Sequence, residues 1–233
     1  MTGYEFFRNA RESRGYSAKT FAILMEISAS NMYEYERGNR SFEVIPVYKA
    51  IQMFDEIGIS LEEFFDTYYP YKTEIDERIK IWRQDNPREY QYQILKQRFM
   101  TRFSKMKARK ILPQEKFDDL YYLFTEIFDD AKFHLDGAGN ISETFYDDKI
   151  MALLYEIKKA TQKSSENVVS DKIQDGIDKT EYVSSDVAKF IDMNVRYFYN
   201  TIRGRFDFQK FHVLTALKLC YVLNLDFHDV FCK

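Results

Sequence analysis

Arginine and asparagine side chains near the C-terminus have the types and the spacing that hydrogen bonding to nucleic-acid bases requires. Arg196 and Asn200 are four residues apart, and Arg203 and Arg205 follow them. On a helix, residues at this spacing share one face. An arginine guanidinium can donate two hydrogen bonds to guanine, an asparagine amide can pair with adenine, and further arginines can bind phosphates. The segment is therefore typical of a protein that reads bases in duplex DNA.

Two tyrosines interleaved with these residues leave a second interpretation open. Tyr197 and Tyr199 could contact DNA beside the arginines, or they could pack inside a module that serves only for dimerisation. The candidate DNA-binding residues of this segment are Arg196, Tyr197, Tyr199, Asn200, Arg203 and Arg205.

This segment belongs to an internal repeat. Residues 17–65, the N-terminal copy, align without a gap with residues 183–231, the C-terminal copy, at a constant offset of 166 residues. The matched positions are Phe21 with Val187, Ala22 with Ala188, Met25 with Ile191, Ile27 with Met193, Met32 with Phe198, Arg37-Gly38 with Arg203-Gly204, Val47 with Val213, Ala50 with Ala216, Ile51 with Leu217 and Phe65 with Phe231. The repeat predicts two ends that fold alike, with Ala22 and Ala188 at the same helix crossing.

The N-terminal copy contains three stretches typical of two helices joined by a tight turn and followed by further helices. They are FFRNARESRGYSAKTFAILMEIS, SASNMYEYERG and IGISLEEFF. Ser17 and Ser28 can each cap a helix, and Ile27 fills the turn. These stretches resemble the phage-repressor and Cro-like family, also called the XRE family of helix-turn-helix proteins. The resemblance implies that the second helix enters the major groove and that a homodimer binds an operator with two-fold symmetry.

The helix after Ser28 is expected to divide into a core face and a solvent face. Met32 and Tyr35 point to the core, and the other side of the helix can meet DNA. The candidate DNA-binding residues of this copy are Ser28, Ser30, Asn31, Tyr33, Glu34 and Arg37. Glu34 can accept a hydrogen bond from cytosine, but the outward face of the helix carries no Arg, Lys or Gln. We therefore expect the C-terminal copy to be the stronger DNA reader.

The preceding helix and turn depart from the family pattern. Glu26 stands where the family usually has Gly, so the turn must either adopt a left-handed conformation or differ in form. Ala18 stands where Gln is frequent, which removes a common DNA contact. The residues of this helix expected to face the core are Phe21, Ala22, Leu24 and Met25.

The formal net charge of -3 conceals one strongly basic segment. Residues 72–116 hold 13 basic and 6 acidic residues, and residues 96–110 hold seven basic residues and no acidic one. A basic helix face could follow phosphates, hold an acidic partner or be solvated, and we favour contact with phosphate or an acidic partner. The candidate phosphate-binding residues are Lys105, Lys107 and Lys110.

The whole chain is expected to be all-α, because glycine and proline are scarce and apolar residues recur at helical spacing. Three domains are predicted: an XRE-type helix-turn-helix domain over 1–70, a helical linker, oligomerisation or sensor region over 71–164, and a second helix-turn-helix-like domain over 165–233. Central helices are predicted over 73–83, 87–108, 113–134 and 146–161. A loop is expected over 136–140 and a linker over 162–167.

The sequence favours no catalytic or metal-binding chemistry. His134, His212 and His228 are scattered, and no glycine-rich phosphate loop is present. We expect no enzymatic activity, no cofactor and no metal. No apolar run is long enough to span a bilayer, so no membrane association and a cytoplasmic location are expected, with Cys220 as a core residue rather than half of a disulfide.

Together these features predict a sequence-specific DNA-binding transcription regulator, a repressor that acts on double-stranded DNA as a homodimer. The alternative is a protein-interaction module, an antitoxin or inhibitor, that uses helix-turn-helix folds as docking surfaces. The aromatic central helices could also hold a protein or peptide partner.

Overall fold

The computed structural model describes residues 1–86, 88–130, 152–153, 155–157, 168–180 and 182–232. The helices of these residues, in chain order, are α1 (Gly3–Ser13), α2 (Ala18–Leu24), α3 (Ala29–Glu36), α4 (Val47–Ile57), α5 (Leu61–Tyr68), α6 (Lys72–Asp85), α7 (Arg88–Ala108), α8 (Gln114–Asp130), α9 (Val168–Asp178), α10 (Ser184–Phe190), α11 (Val195–Ile202), α12 (Val213–Leu223) and α13 (Phe227–Phe231). Short 3-10 turns at Phe42–Val44 and Phe208–Lys210 precede α4 and α12. Within the described ranges there are no strands, so the all-α prediction is confirmed there.

Two compact units divide the chain. The first comprises Met1–Ile79, Asn167–Gly176 and Ser184–Lys233, and the second comprises Lys80–Glu166 and Ile177–Val183. The three domains predicted from the sequence stay a prediction, but the two repeat copies lie in the same compact unit.

The local sequence explains where the helices of the N-terminal copy begin. The side chains of Ser17, Ser28 and Ser60 each accept a hydrogen bond from the backbone N–H three residues later, which satisfies one of the unpaired donors of a helix N-terminus. The turn between α2 and α3 contains Glu26 at φ 51°, so the left-handed alternative expected from the missing glycine is the one adopted.

The predicted likeness of the two ends is confirmed in their helix bounds. Helices α2, α3 and α4 recur as α10, α11 and α12 at an offset of 166 residues, and so do the two 3-10 turns. Left-handed backbone recurs too, at Glu26 with Asp192, Gly38 with Gly204, and Gly58 with Asn224. Ala22 and Ala188 are both fully buried.

Backbone hydrogen bonds join the two copies around a local two-fold axis. The Val47 N–H donates to the Phe211 carbonyl at 2.9 Å. In return, the Val213 N–H donates to the Ile45 carbonyl at 2.8 Å. Both donors and both acceptors belong to buried residues, and each bond is the image of the other at the 166-residue offset. This reciprocity is the mark of an isologous interface, here formed within one chain.

Two further contacts identify the position of the axis. Pro46 lies opposite His212 in an antiparallel bridge, and the Glu62 carboxylate lies 3.4 Å from His228 Nε2. Each residue here touches its own repeat equivalent, which two-fold symmetry permits only close to the axis. Partial burial raises the pKa of Glu62, and the positive charge of a protonated His228 opposes that shift.

The beginning of α6 packs against the C-terminal copy through polar contacts. Arg78 donates to the carbonyls of Lys189 and Phe190 at 3.1 and 3.3 Å, and it pairs with Asp192 at 2.5 Å. Lys218 reaches the same carboxylate at 3.1 Å. Partial burial alone would raise the pKa of Asp192, but the hydrogen bonds from Arg78 and Lys218 outweigh it and hold the pKa below its ordinary value.

Replacing Asp192 by asparagine should lower the free energy of unfolding by about 1 kcal/mol at neutral pH. Asparagine keeps the left-handed turn but removes the charge that Arg78 and Lys218 share. Since a lowered carboxylate pKa stabilises the fold above the ordinary aspartate range, about 3.9, the difference from wild type should shrink as the pH falls below it.

The matched control for this prediction is Glu26→Asn, at the equivalent left-handed position of the N-terminal copy. Glu26 forms no ion pair with any residue that the structure describes, so this change should leave stability equal or slightly higher. Chemical denaturation of both variants between pH 3 and pH 7 measures their free energies of unfolding. Equal and pH-independent losses would contradict the assigned role of Asp192.

The second unit has an aromatic core between α7 and α8. Leu153 and Ile157 complete this core. Its other buried members are Phe99, Phe103, Met106, Phe117, Phe124, Ile127 and Phe128. Helix α7 ends at Ala108 as predicted, and α8 begins directly after Pro113. The helix predicted over 146–161 lies mostly outside the described residues, although 152–153 and 155–157 are helical. The predicted loop over 136–140 and the predicted linker over 162–167 also lie outside the described residues.

Candidate nucleic-acid interface

Helix α3 presents one face to the core and the opposite face to solvent. Met32 and Tyr35 are buried as predicted, and burial raises the pKa of Tyr35. The exposed residues of the predicted set are Ser28, Ser30, Tyr33 and Arg37, and the half-buried ones are Asn31 and Glu34. The Ser28 hydroxyl accepts the Asn31 N–H at 3.1 Å, so its acceptor capacity is partly used by the helix cap.

A buried ion pair fixes α3 against α1. Arg11 Nε donates to Glu36 Oε1 at 2.5 Å and Arg11 Nη2 donates to Glu36 Oε2 at 3.0 Å, and the two side chains are only 3% and 6% exposed. Arg11 also donates to the Tyr16 carbonyl, and Arg8 to the Glu36 carbonyl. Two parallel hydrogen bonds set both the distance and the orientation of the partners. The pair therefore determines how α3 presents its outward face.

This pair is not among the residues predicted from the sequence, although the 166-residue offset contains a signal for it. At the 166-residue offset, Arg11 corresponds to Ile177 and Glu36 to Ile202. Both members of the pair thus correspond to apolar residues, of which Ile177 is buried and Ile202 is half-buried.

Helix α11 is built like α3, but its outward face has different chemistry. Asn194 caps it by accepting the Tyr197 N–H at 3.1 Å, and Phe198 and Thr201 are buried. Arg196 and Arg203 are exposed at the positions predicted for them.

A tyrosine–arginine pair recurs on the outward faces of both helices. The Arg37 guanidinium lies over the Tyr33 ring at 5.7 Å, and that of Arg203 lies over the Tyr199 ring at 6.0 Å. The two pairs are repeat equivalents, and both tyrosines remain exposed. A cation held over an aromatic ring loses rotational freedom while its N–H groups can still donate outward. All four residues are among the candidates predicted from the sequence, but their pairing is not.

Other candidates of α11 are partly engaged within the protein. The Tyr197 ring stacks on Phe206 at 4.9 Å with an interplanar angle of 20°, which supports the packing interpretation for this tyrosine. Asn200 Oδ1 accepts a hydrogen bond from Arg205 Nη1 at 3.3 Å. The Asn200 amide is thereby oriented with its N–H₂ group left to donate, because the oxygen is the atom that Arg205 holds.

The two outward segments differ in charge. Residues 28–40 contain two acidic and two basic residues, whereas residues 194–206 contain three basic residues and no acidic one. The C-terminal segment is therefore the more favourable of the two for a polyanion.

The basic segment over 96–110 does not form one continuous helix face. Arg98 donates to the carbonyls of Ile177, Thr180 and Tyr182, and Arg102 pairs with Asp178, so these two arginines bind the end of α9 and the turn after it. Because α7 ends at Ala108, Arg109 and Lys110 lie in the following turn, with Lys110 at φ 48°. The exposed basic residues that remain are Lys105, Lys107, Arg109 and Lys110.

The expected inward orientation of Leu24 is wrong. Leu24 is 49% exposed and its neighbour Ile23 69% exposed, whereas Phe21 and Met25 are buried. At about 100° per residue, Leu24 lies roughly 100° from the centre of the face formed by its buried neighbours. An apolar surface consequently remains at the end of α2.

Comparison of the chain with protein-family models, curated proteins and solved structures finds no match. In the part of the chain that the structure describes, no helix combines the length and the apolar character needed to cross a bilayer. The same residues contain no group of three or more His, Cys, Asp or Glu side chains arranged to hold a metal ion.

Proposed function

We propose that this chain is a sequence-specific DNA-binding transcription regulator, a repressor that reads duplex DNA with the outward faces of α3 and α11. The observation that carries the proposal is the exposed tyrosine–arginine pair that recurs at equivalent positions of both helices. Each pair sits on the second member of a tightly joined helix pair, the position that enters the major groove in helix-turn-helix proteins.

The side chains beside the recurring pair have suitable chemistry for base recognition. Arg196 can donate two hydrogen bonds to guanine, and the free N–H₂ group of Asn200 can donate to a base acceptor. On α3, Ser30 and Glu34 offer weaker contacts, with Glu34 suited to the amino group of cytosine. We assign the larger share of base discrimination to α11.

Arg196→Ala and Asn200→Ala should each reduce discrimination between specific and scrambled duplexes by about 1 to 3 kcal/mol, because each removes a base contact. Ser30→Ala and Asn31→Ala should have smaller effects. The duplex is first selected from a randomised pool with the full chain, and affinities are then measured by gel shift.

Lys189→Ala is the matched control, since it removes an exposed positive charge from α10 without touching the outward face of α11. It should change affinity for both duplexes equally or leave it unchanged. If Arg196→Ala behaves in the same way, Arg196 contacts only the phosphate backbone.

The exposed basic residues in the last turn of α7 and directly after it should contribute affinity that is independent of sequence. Replacing Lys105, Lys107 and Lys110 by Gln should weaken binding to every duplex about equally and should reduce the slope of log affinity against log salt by about two to three units. Each neutralised phosphate releases bound counterion, which is the source of that slope. An unchanged slope with unchanged affinity would indicate that these lysines face solvent or contact a protein partner.

The alternative function, a protein-interaction module such as an antitoxin or inhibitor, is favoured by the apolar end of α2. Ile23 and Leu24 are neighbouring exposed apolar residues, which is typical of docking surfaces. At the equivalent positions the C-terminal copy has Lys189 and the buried Phe190. Failure of the full chain to enrich any duplex would favour this alternative.

The homodimer is an expectation from the family resemblance alone, and a protein or peptide partner for the central helices is an expectation from the sequence. The absence of enzymatic activity and of a cofactor is likewise an expectation from the sequence.

A further inference from the structure

We infer that a single chain supplies both halves of the DNA-reading unit, and that its target is a duplex with two unlike half-sites in inverted orientation. The inference rests on the proposed function and specifies its substrate. A repressor that dimerises places two identical helices on two identical half-sites, whereas this chain carries both helices itself.

The isologous contact is already made within the chain. The backbone N–H groups of Val47 and Val213 donate to carbonyls of the opposite copy, and both residues are fully buried. A second chain therefore finds neither these donors nor their acceptors available for the same contact. Dimerisation through this surface would require the two copies of each chain to separate first.

The two copies are oriented relative to each other by a two-fold axis. The contacts of Pro46 with His212 and of Glu62 with His228 place the copies around a two-fold axis. A two-fold rotation carries α3 onto α11, so a duplex that contacts both helices along this axis meets them in inverted orientation. Inverted half-sites follow, rather than direct repeats.

The outward faces of α3 and α11 are alike in some positions and different in others. Tyr33 and Arg37 recur as Tyr199 and Arg203. Ser30 and Glu34, however, correspond to Arg196 and Asn200. Shared residues fit contacts common to both half-sites, while arginine donates two hydrogen bonds to guanine and a serine hydroxyl has no comparable preference. We accordingly expect the two half-sites to differ in sequence.

The test uses the full chain and a pool of duplexes with a random region of about 30 base pairs, enough for two half-sites one helical turn apart. The enriched duplex is sequenced, and native mass spectrometry counts the chains bound to it. We expect one chain per duplex and two unlike half-sites.

A double variant then gives α3 the two base-reading residues proposed for α11. Ser30→Arg with Glu34→Asn introduces the counterparts of Arg196 and Asn200 at positions that are not in the core. This variant should bind an inverted repeat of the α11 half-site about tenfold better than the wild-type chain does. The reciprocal variant, Arg196→Ser with Asn200→Glu, should prefer a repeat of the other half-site, and circular dichroism verifies that both variants fold.

Two chains on the enriched duplex, or enrichment of two identical half-sites by the wild-type chain, would overturn this inference and leave the proposed function standing. A wild-type chain that enriches no duplex would overturn both.

Discussion

Glu36→Ala is expected to lower the free energy of unfolding by about 3 to 5 kcal/mol, the largest effect of any single substitution considered. The change leaves the Arg11 guanidinium charged and buried, with only the exposed Glu12 carboxylate at 3.2 Å as an ionic partner. Since the pair also positions α3, affinity for the selected duplex should fall with stability. Urea denaturation of the full chain, followed by circular dichroism, measures the loss.

A double isoleucine variant provides the control for this prediction. Arg11→Ile combined with Glu36→Ile introduces the residues that stand 166 positions later in the chain, Ile177 and Ile202. A buried ion pair can be replaced by apolar residues at little net cost, because the desolvation penalty of both charges disappears. The double variant should therefore be clearly more stable than Glu36→Ala alone. Equal destabilisation of the two would contradict the view that the buried Arg11 charge causes the loss when Glu36 is absent.

The second large effect concerns the two backbone hydrogen bonds between the copies. Val47→Pro and Val213→Pro each remove one N–H donor and leave a buried carbonyl unpaired, at an expected loss of about 1 to 3 kcal/mol each. Both residues occupy the first position of their helices, where proline fits. The preceding residues, Pro46 and His212, already have the extended backbone that a following proline requires.

Alanine at the same positions is the matched control. Val47→Ala and Val213→Ala shorten the side chain but keep the N–H group, so the difference between proline and alanine isolates the hydrogen bond. The double proline variant should show the sum of both losses. Proline and alanine variants of equal stability would show that these bonds do not hold the copies together.

Local chemistry explains which parts of the fold could be predicted from the sequence. Ser17 and Ser28 cap helices because their hydroxyls reach the third N–H of the helix, a contact within four residues of chain. A left-handed Glu26 is one of only two alternatives predicted from the sequence, because a tight turn between two helices permits few backbone conformations. The internal repeat extended these local predictions to the other end of the chain.

Contacts between distant segments explain what the sequence did not reveal. The sequence pattern places Arg98 and Arg102 on a basic helix face. In the structure they bind the end of α9, some eighty residues away along the chain. The pairing of Val47 with the C-terminal copy leaves no trace in composition or periodicity, since a backbone N–H is present at almost every residue. The expected inward orientation of Leu24 is wrong because α2 has only seven residues, and periodicity over so short a helix does not define its core face.

Directed cleavage of the selected duplex tests most directly whether both copies of one chain contact the same DNA. A cysteine is introduced at Ile23 or at Lys189, two exposed and repeat-equivalent positions, in a chain whose half-buried Cys232 is changed to serine. Each cysteine carries an iron chelate that cleaves nearby DNA. We predict two cleavage centres in opposite halves of the duplex, about one helical turn apart, from a complex with one chain. Cleavage from only one of the two positions, or a single centre common to both, would contradict the account.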